Sequence, residues 1–501
     1  MGLLDFFKKS NNKAEENKNT EELDKADFVA KESTKETPKE TPKEQKAVDN
    51  TQKSETGFVL GVMDTFKLID SKDLVIVGNV KGTVHVGDAV YCANQGDDEG
   101  GMFLTTILGI EINAKQPVNE AADCHVGLKL ENAAEAGIKI GTVLFTREKS
   151  TSEVHDAYIS ALGDTYVMSK GLNLTDEELE NLSVTDLSEI WRMFAWFHGK
   201  NKEHEDEDKR ADNRKKIERI AAVICKKLLV LNEIYYLYNK QTGEPHMFSR
   251  TVKREEGYLC TPPDIMLITK AYQPVMEKYY AGDRFELRKI ENGEDGKGIY
   301  NFLGSTFYLN GACGIEVNSA EVSVDASMLV PKPDYSGIPE INIPVTNPDV
   351  ERWMLLIGQM NSPETEDEKL IYKLYYGFMS SEMVKAKFLI PMQKDPAQTE
   401  TPDENGKVTL KKDTTINFPT MDGKYGRPAV RMFTDWKRLR MAFPDEKWGG
   451  MIQPISGFIN AMDCAINATQ FPKAGDYVGE EMYKDMEELA KKKQGQDKSP
   501  Q

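Results

Sequence analysis

The sequence predicts a multidomain fold with an N-terminal all-β barrel, a helical connector and two tandem α+β units. Apolar residues alternate along residues 57–148 in the manner of strands. The apolar period becomes helical over 149–229, and strand, turn and helix signals then occur twice, over 230–330 and 347–475. At 501 residues the chain is long enough for several hydrophobic cores.

Composition limits the class of function. The formal net charge is −18, so strong nucleic-acid binding is not expected. Six cysteines occur without a Cys-x-x-Cys pair, which favours a reducing cytoplasm. No apolar run approaches the ~20 residues that a membrane span needs, so no membrane contact is expected. The predicted location is the cytoplasm of a bacterial-type cell.

Residues 1–56 are polar and carry charges of both signs, with Thr-Pro-Lys-Glu repeated at 37–40 and 41–44. Such a segment cannot bury enough apolar surface to offset the entropy of ordering. We therefore predict a disordered charged tether. Its start, Met1–Lys9, is too short for a signal-peptide core.

The most specific run of the barrel region is Val75–Tyr91, in which valines alternate and a Gly-Asp pair marks a hairpin-type turn. Glycines stand where strands bend sharply, at Gly78, Gly82 and Gly87. The other strands of the barrel are expected at Gly57–Ile69, Thr105–Ile112, Ala121–Leu130 and Ile138–Phe145.

This run resembles the second domain of elongation factor Tu and other translational GTPases, where a strand carrying Gly-x-Val-x-x-Gly leads through a Gly-Asp turn into the next strand. The resemblance extends from Gly57 to Arg147. It implies a β-barrel that serves as a docking surface. No Gly-x-x-x-x-Gly-Lys-Ser/Thr phosphate loop occurs in the chain, so we expect neither GTP binding nor GTP hydrolysis.

The connector is expected to contain helices near Glu153–Met168, Thr185–His198 and Asp212–Leu231. The aromatic run Trp191–His198 could stack on bases or a ligand, but packing against a neighbouring helix is the favoured interpretation. His204–Asp208 offers imidazole and carboxylate groups without the spacing of a metal site. We interpret it as a solvated acidic turn and expect no metal.

The two α+β units are predicted from a repeated order of elements. The first copy is expected to contain a strand Leu231–Tyr238, a helix capped by Thr261 and entered through Pro262 and Pro263, a strand Phe285–Ile290, a helix Tyr300–Leu309 and a strand Gly314–Asn318. The second is expected to contain helices capped near Asn347 and over Glu364–Lys385, a strand Lys387–Met392, a hairpin turn at Asn405-Gly406, a helix Asp435–Phe443, a strand Met451–Ile455, a short helix Gly457–Met462 and a strand Ala465–Thr469. Cys313–Ser319 in the first copy is matched with Cys464–Thr469 in the second. Residues 331–346 are predicted to be a proline-rich linker, and 476–501 a charged tail.

Three runs of the second unit, Tyr372–Tyr376, Lys387–Pro391 and Gly426–Thr434, resemble the SseB family, a bacterial domain named for enhanced serine sensitivity. The resemblance covers Asn347–Phe471 and, more weakly, Leu231–Val330. Its motifs are structural, and it implies no catalytic residues.

No catalytic, cofactor or metal motif emerges: the chain has no Gly-x-Ser-x-Gly elbow, no zinc spacing and no dinucleotide fingerprint. The candidate site is a basic group around a helix cap, formed by Arg427, Arg431, Lys437, Arg438 and Arg440. Helix N-terminal amides and guanidinium groups both favour phosphate, which predicts an anion or RNA-phosphate contact. A solvated helix face is the favoured alternative.

Three functional hypotheses follow. The first is a non-catalytic cytoplasmic adaptor that binds an unidentified protein partner. The second is a metabolite- or amino-acid-handling enzyme, or a ligand-binding protein, with its site between the two SseB-like units. The third is a ribosome- or translation-associated factor that lacks a GTPase domain. The absence of a catalytic motif makes the enzyme the less favoured alternative, and no cofactor is expected.

Overall fold

The computed structural model describes residues 57–96, 102–113, 116–147, 149–201, 205–255, 257–393, 418–423 and 426–496. The predicted tether of residues 1–56 and the Asn405-Gly406 turn lie outside the described residues, as does His204.

A closed β-barrel follows directly from residue 57. Its strands are β1 Phe58–Lys67, β2 Leu74–His85, β3 Ala89–Ala93, β4 Phe103–Ile112, β5 Gln116–Val118, β6 Glu120–Ala122, β7 His125–Leu130 and β8 Val143–Phe145. Among these described strands, six pair in the order β1-β8-β3-β4-β7-β2, and the pairing of β1 with β2 closes the ring. Alternate apolar side chains fill the interior, so the predicted barrel is confirmed.

Two predicted strands of the barrel are shorter than expected. Asp123 adopts a left-handed backbone, with φ of 47°, and divides the predicted strand Ala121–Leu130 into β6 and β7. Gly137 and Gly141 also have positive φ, and residues 138–142 form a turn ahead of β8. A left-handed non-glycine residue such as Asp123 is strained within a strand, and the chain turns at residues 140–141, so both strands were predicted too long.

Helices follow the barrel, as predicted. They are α1 Thr151–Leu162, which continues as a π-helix over Gly163–Ser169, then α2 Asp176–Asn181, α3 Val184–Asn201 and α4 Glu207–Leu228. In the aromatic run of α3, Trp191 and Phe194 are buried in the core, whereas Trp196 is 61% exposed. No helix in the described part of the chain is long and apolar enough to span a bilayer.

A mixed sheet occupies residues 233–325, together with two helices. Its elements are β9 Glu233–Asn239, β10 Glu244–Pro245, β11 Met247–Phe248, β12 Thr251–Arg254, β13 Gly257–Cys260, β14 Asp264–Ile268, α5 Gln273–Tyr279, β15 Phe285–Glu291, α6 Gly298–Tyr308, β16 Gly314–Val317 and β17 Ser319–Asp325. Strand β9 pairs with β15 and β14, and β14 runs parallel to β16, which pairs antiparallel with β17.

The helix predicted to begin at Thr261 is wrong. Strand β14 follows the two prolines there, and the next helix, α5, begins at Gln273. Ile265, Leu267 and Ile268 are almost completely buried, so this short apolar run is a central strand. The cap-like Thr-Pro-Pro signal fits the entry to a strand as well as the start of a helix.

A second arrangement of the same kind occupies residues 348–496. Its elements are α7 Pro348–Gln359, α8 Glu366–Met383, β18 Phe388–Met392, β19 Thr420–Asp422, β20 Pro428–Met432, α9 Trp436–Ala442, β21 Gly449–Gln453, β22 Asp463–Ile466, β23 Asp476–Val478 and α10 Glu480–Gln496. Strand β20 runs parallel to β22, which pairs antiparallel with β23. Strand β18 pairs with β21 and meets the end of β20 through a bridge between Leu389 and Phe433.

Three details of this region differ from prediction. The short helix predicted over Gly457–Met462 is replaced by one 3-10 turn at Ile455–Gly457 and a further turn that leads to β22. The Asn347 side chain does not cap α7; its amide donates to the carbonyl oxygens of Lys387 and Thr434, each at 2.9 Å. Strand β23 and helix α10 occupy residues 476–496, where a charged tail was predicted. Tyr483 and Met486 of α10 are buried, because an apolar stripe of helical spacing runs through this charged sequence.

Helix α7 lies between two hydrophobic clusters. Val350 and Met354 point into the cluster of the second sheet. Leu355 and Leu356 point into a cluster that extends through the first sheet and α3 to α1. The helix is apolar on both sides and ties the two regions together.

Candidate functional site: a buried charge cluster between the two sheets

The same pair of residues ends the parallel strands of both sheets. Thr269 follows β14 and its N–H donates to Asn318 Oδ1, at 2.9 Å; Thr434 follows β20 and its N–H donates to Asn467 Oδ1, at 3.0 Å. Both asparagines are left-handed, with φ of 58° and 49°, a conformation that asparagine tolerates. The parallel strands bring each pair together at one edge.

This equivalence changes the alignment of the two copies. The strand register places Asn318 directly after Val317 and Asn467 directly after Ile466, each at the end of its parallel pair. The matched cysteines are therefore not equivalent, because Cys464 lies within its strand and Cys313 precedes its strand.

The helix that covers each pair supplies a different chemical group. In the first sheet, Asn318 Nδ2 donates to Ser188 Oγ of α3, at 3.1 Å. In the second sheet, Asn467 Nδ2 donates to Glu351 Oε2 of α7, at 2.7 Å, and Thr434 Oγ1 lies 3.1 Å from the same oxygen. A neutral hydroxyl in one copy is thus a carboxylate in the other.

Glu351 is part of a buried charge cluster centred on Arg438 of α9. The Arg438 guanidinium lies 2.9 Å from Glu351 Oε1, 2.5 Å from Asp435 Oδ2 and 3.1 Å from Glu244 Oε1. None of these four residues is more than 4% exposed. Charges this deeply buried are tolerated when cations and hydrogen-bond partners surround them.

The cluster joins the two sheets. Glu244 belongs to β10 of the first sheet, and both its oxygens accept from Lys437 Nζ of α9, at 2.8 and 2.9 Å. Asn310, which follows α6, accepts from Arg438 at 2.9 Å and donates to Glu244 at the same distance. Both cations of the cluster, Lys437 and Arg438 of the second region, therefore contact acceptors of the first region.

Burial raises the pKa of Glu351 to about 7; Arg438 opposes this shift, and the nearby Asp435 and Glu244 carboxylates add to it. Three carboxylates face two cations here, so a proton on Glu351 would balance the charge. Within the described residues, no group of three or more His, Cys, Asp or Glu side chains is arranged to hold a metal ion. The ion pairs of this cluster hold the two sheets in one arrangement.

Hydrogen bonds to backbone groups also connect the two sheets. We call these contacts, together with the charge cluster, the joint. Gln359 Oε1 at the end of α7 accepts from the Met247 N–H, at 3.2 Å, and Arg284 donates to the Gln359 carbonyl oxygen. Arg352 Nε donates to the Gly311 carbonyl oxygen, at 2.6 Å. Gly311 has φ of 80°, and a Cβ there would lie 2.0 Å from the Pro348 carbonyl oxygen, so the two backbones touch.

The structure divides the five predicted anion-contact residues among four places. Lys437 and Arg438 lie in the charge cluster. Arg427 Nη1 lies 3.1 Å from Glu480 Oε2 at the start of α10. Arg431 donates to the Ala468 carbonyl oxygen, and Arg440 donates to that of Asp445, at 3.1 Å. Every one of them has a protein acceptor; the anion contact itself stays a prediction.

Sequence reasoning missed the two acceptors that define the joint. Glu244 stood in a Gln-Thr-Gly-Glu-Pro run that indicated a turn, and Glu351 stood beside the apolar stripe of α7. The repeated asparagine after each closing strand was the available signal. It points to the edge at which Glu351 lies and carries no information about Glu244.

The outer face of the barrel carries a row of apolar side chains across four strands. Strand register places Val59 of β1 beside Phe145 of β8, Phe145 beside Tyr91 of β3, and Tyr91 beside Leu104 of β4. Val59 is covered and shares a hydrophobic cluster with Val154 of α1. Leu104, at the other end of the row, is 61% exposed.

Comparison with known proteins finds similarity to translation elongation factors. No protein-family model matches the chain. The chain is similar to the apicoplast elongation factor Tu of Plasmodium falciparum (isolate 3D7), with 26% identity over 121 residues, which cover 24% of this chain and 28% of that protein. Together with the closed barrel, this similarity supports a barrel of the translation-factor type.

Solved structures of translation elongation factor SelB from Methanococcus maripaludis, the apo form and the complex with the GTP analogue GppNHp, also match. Each match has 21% identity and a TM-score of 0.17, and covers 19% of this chain and 20% of the other. The chain thus spans less than a third of the length of the relatives it matches. The SseB resemblance stays a prediction.

Proposed function

We propose that the chain is a non-catalytic adaptor that binds the apolar face of a helix of a partner protein on the outer face of its barrel. The supporting observation is the apolar row of Val59, Phe145, Tyr91 and Leu104. One end of this row is covered by helix α1 of the chain itself, and the other end is exposed. The exposed end continues the apolar surface on which α1 already packs. The apolar face of a second helix can therefore pack there in the same way.

Charge favours a protein over a ribosomal partner. Residues 57–147 contain seven lysines and arginines against twelve aspartates and glutamates. An acidic barrel on an acidic chain repels a phosphate backbone. The similarity to an elongation factor leaves the translation-associated hypothesis as the alternative outcome of the experiment below.

The remainder of the chain serves in this proposal as a rigid scaffold built from two copies of one SseB-like unit. The strand pairing, the threonine–asparagine pair and a preceding pair of helices recur in both sheets. In this proposal α3 and α4, predicted as part of the connector, belong to the first copy.

The experiment is affinity capture of a tagged chain after crosslinking in cells. We expect a stoichiometric partner that the Leu104→Glu/Leu108→Glu double variant loses, because Leu108 is also exposed on β4, at 41%. Val252→Glu, at a 42% exposed valine outside the barrel, is the matched control and should keep the partner.

Two outcomes would overturn the proposal. The first is a chain that sediments with ribosomes at low salt, is released by added salt and is unaffected by the double variant. The second is a melting-temperature increase with a metabolite, since ligand binding stabilises the native state by mass action. That result would favour the ligand-handling alternative.

A further inference from the structure

A groove opens beside the second sheet, between α7, α8, the turn at 472–475 and α10. Its volume is about 290 Å³, at the low end of small-molecule pockets. Its lining includes the side chains of Met354, Met360, Tyr372, Tyr376, Met379 and Met482. A groove of this size holds one large side chain and parts of its neighbours.

The floor of the groove is backbone packed on backbone. A Cβ at Gly358 of α7 would lie 1.8 Å from the Lys473 carbonyl oxygen. Glycine lets the helix approach this closely. The floor is therefore held in place, and it does not depend on side chains that could move to fill the groove.

The walls combine a rigid and an adaptable surface. Tyr372 and Tyr376 lie one turn apart on α8, with ring centroids 6.3 Å apart and planes within 11° of parallel. Methionine side chains from three helices face the same space. Thioethers are flexible and polarisable and accept apolar side chains of varied shape, while stacked rings present a flat apolar surface.

Negative charge lies near the two tyrosines of the groove. Asp476 lines the groove, with Lys473 as the cation of the lining. Burial, with the carboxylates of Asp476 and Asp485, raises the pKa of Tyr376 to about 12. Burial and Asp476 also raise the pKa of Tyr372. Both tyrosines thus feel negative charge from β23 and α10 on the far side of the groove.

We propose that this groove binds a short basic peptide segment of a partner protein. One unbranched apolar side chain of the peptide lies against Tyr372 and the methionines, and a lysine or arginine of the peptide lies near Asp476. Apolar walls with the Asp476 carboxylate on the β23 side complement such a segment in shape and charge. The site goes beyond the proposed adaptor function, since it lies on a different part of the chain and does not depend on the barrel.

The test is fluorescence anisotropy of the full chain with three labelled hexapeptides: Lys-Lys-Leu-Met-Lys-Lys, the anchor-free Lys-Lys-Ser-Gln-Lys-Lys and the acidic Glu-Glu-Leu-Met-Glu-Glu. We expect the first peptide to bind at least tenfold more tightly than either of the others. Tyr372→Ala, at a 36% exposed ring, should weaken its binding about tenfold, and Asp476→Asn about threefold. Tyr258→Ala, at a 41% exposed ring of the β12–β13 hairpin, should leave binding unchanged.

Equal binding of the first two peptides would show general attraction to an acidic chain and would overturn the proposal. So would unchanged binding by a Tyr372→Ala variant with native melting behaviour. The Leu104→Glu/Leu108→Glu variant should bind the peptide normally, so failure of the groove and failure of the barrel surface are distinguishable.

Discussion

Glu351 shows how one side chain changes the role of a repeated structural position. Its counterpart contact in the first sheet is the neutral Ser188 hydroxyl, which accepts from Asn318. The Glu351 carboxylate accepts from Asn467 in the same way and also lies against Arg438. The carboxylate of Glu351 thus pairs with Arg438, which lies in the same copy and also contacts Glu244 of the first copy.

The pKa of Glu351 leads to a pH dependence. Its folded-state pKa of about 7 lies above the ordinary glutamate value, so the folded chain binds this proton more tightly than the unfolded chain. The resulting stabilisation is complete at acidic pH and is lost as the pH rises through 7. Relative to Glu351→Gln, the free energy of unfolding of the native chain should fall by about 2 kcal/mol between pH 5 and pH 8.

Urea titrations of both proteins at both pH values measure this difference. Asp264 and Glu316 have pKa values raised by burial to about 6 and about 7. Both groups are present in both proteins, so their contributions cancel. An identical pH response in the two proteins would contradict the assignment to Glu351.

At the scale of elements, helix α1 packs on barrel strand β1 through positions without side chains. A Cβ at Gly61 would lie 2.2 Å from the Ala157 carbonyl oxygen of α1, and a Cβ at Gly78 would lie 2.4 Å from the Gly61 carbonyl oxygen. The helix therefore lies directly on the strand backbone. This contact attaches the barrel to the rest of the chain and leaves the β3–β4 side of the apolar row open.

Substitution at Gly61 tests this contact. Gly61→Ala should destabilise the chain by about 1–3 kcal/mol, because helix and strand must separate to admit the methyl group. Gly109→Ala on β4 is the matched control, since the nearest atom to its Cβ would be 3.9 Å away. Thermal unfolding measures both; equal melting temperatures for the two variants would show that the α1 contact adjusts without cost.

At the scale of the whole molecule, the two sheets share a helix and a charge cluster but are connected by an exposed segment. All residues over 331–340 are exposed. Helix α7 contributes side chains to the hydrophobic clusters on both of its sides. The arrangement of the two regions therefore depends on the joint and not on the continuity of the linker.

Cleavage at a protease site placed within residues 331–340 should leave two fragments that co-elute in gel filtration. Arg438→Ala leaves three buried carboxylates without their central cation, at a cost of about 3–5 kcal/mol. The cleaved Arg438→Ala protein should separate into its fragments. Arg440→Ala, at an arginine bonded to the Asp445 carbonyl oxygen, is the control and should stay associated. Separation of the cleaved native fragments would contradict the joint.

Local sequence patterns identified the barrel and most of the helices. The alternation and glycines of Val75–Tyr91, and the helical periods of α1, α3 and α4, depend on residues a few positions apart, and such signals are legible in one sequence. Two local patterns were misleading. The Thr-Pro-Pro run at 261–263 is compatible with either a helix start or a strand entry, and in this chain it precedes a strand. The apolar stripe of α10 was too sparse to stand out among the charged residues of that helix.

The joint between the sheets could not be read in this way. Arg438 and Glu244 stand 194 positions apart, and neither residue type nor local spacing links them. Five basic residues close in sequence looked like one anion site, but only Lys437 and Arg438 share an acceptor, Glu244, and the other three each bind elsewhere. Which charges meet is set by how the two copies pack, since a buried charge is stable only where a distant part of the chain supplies its partner.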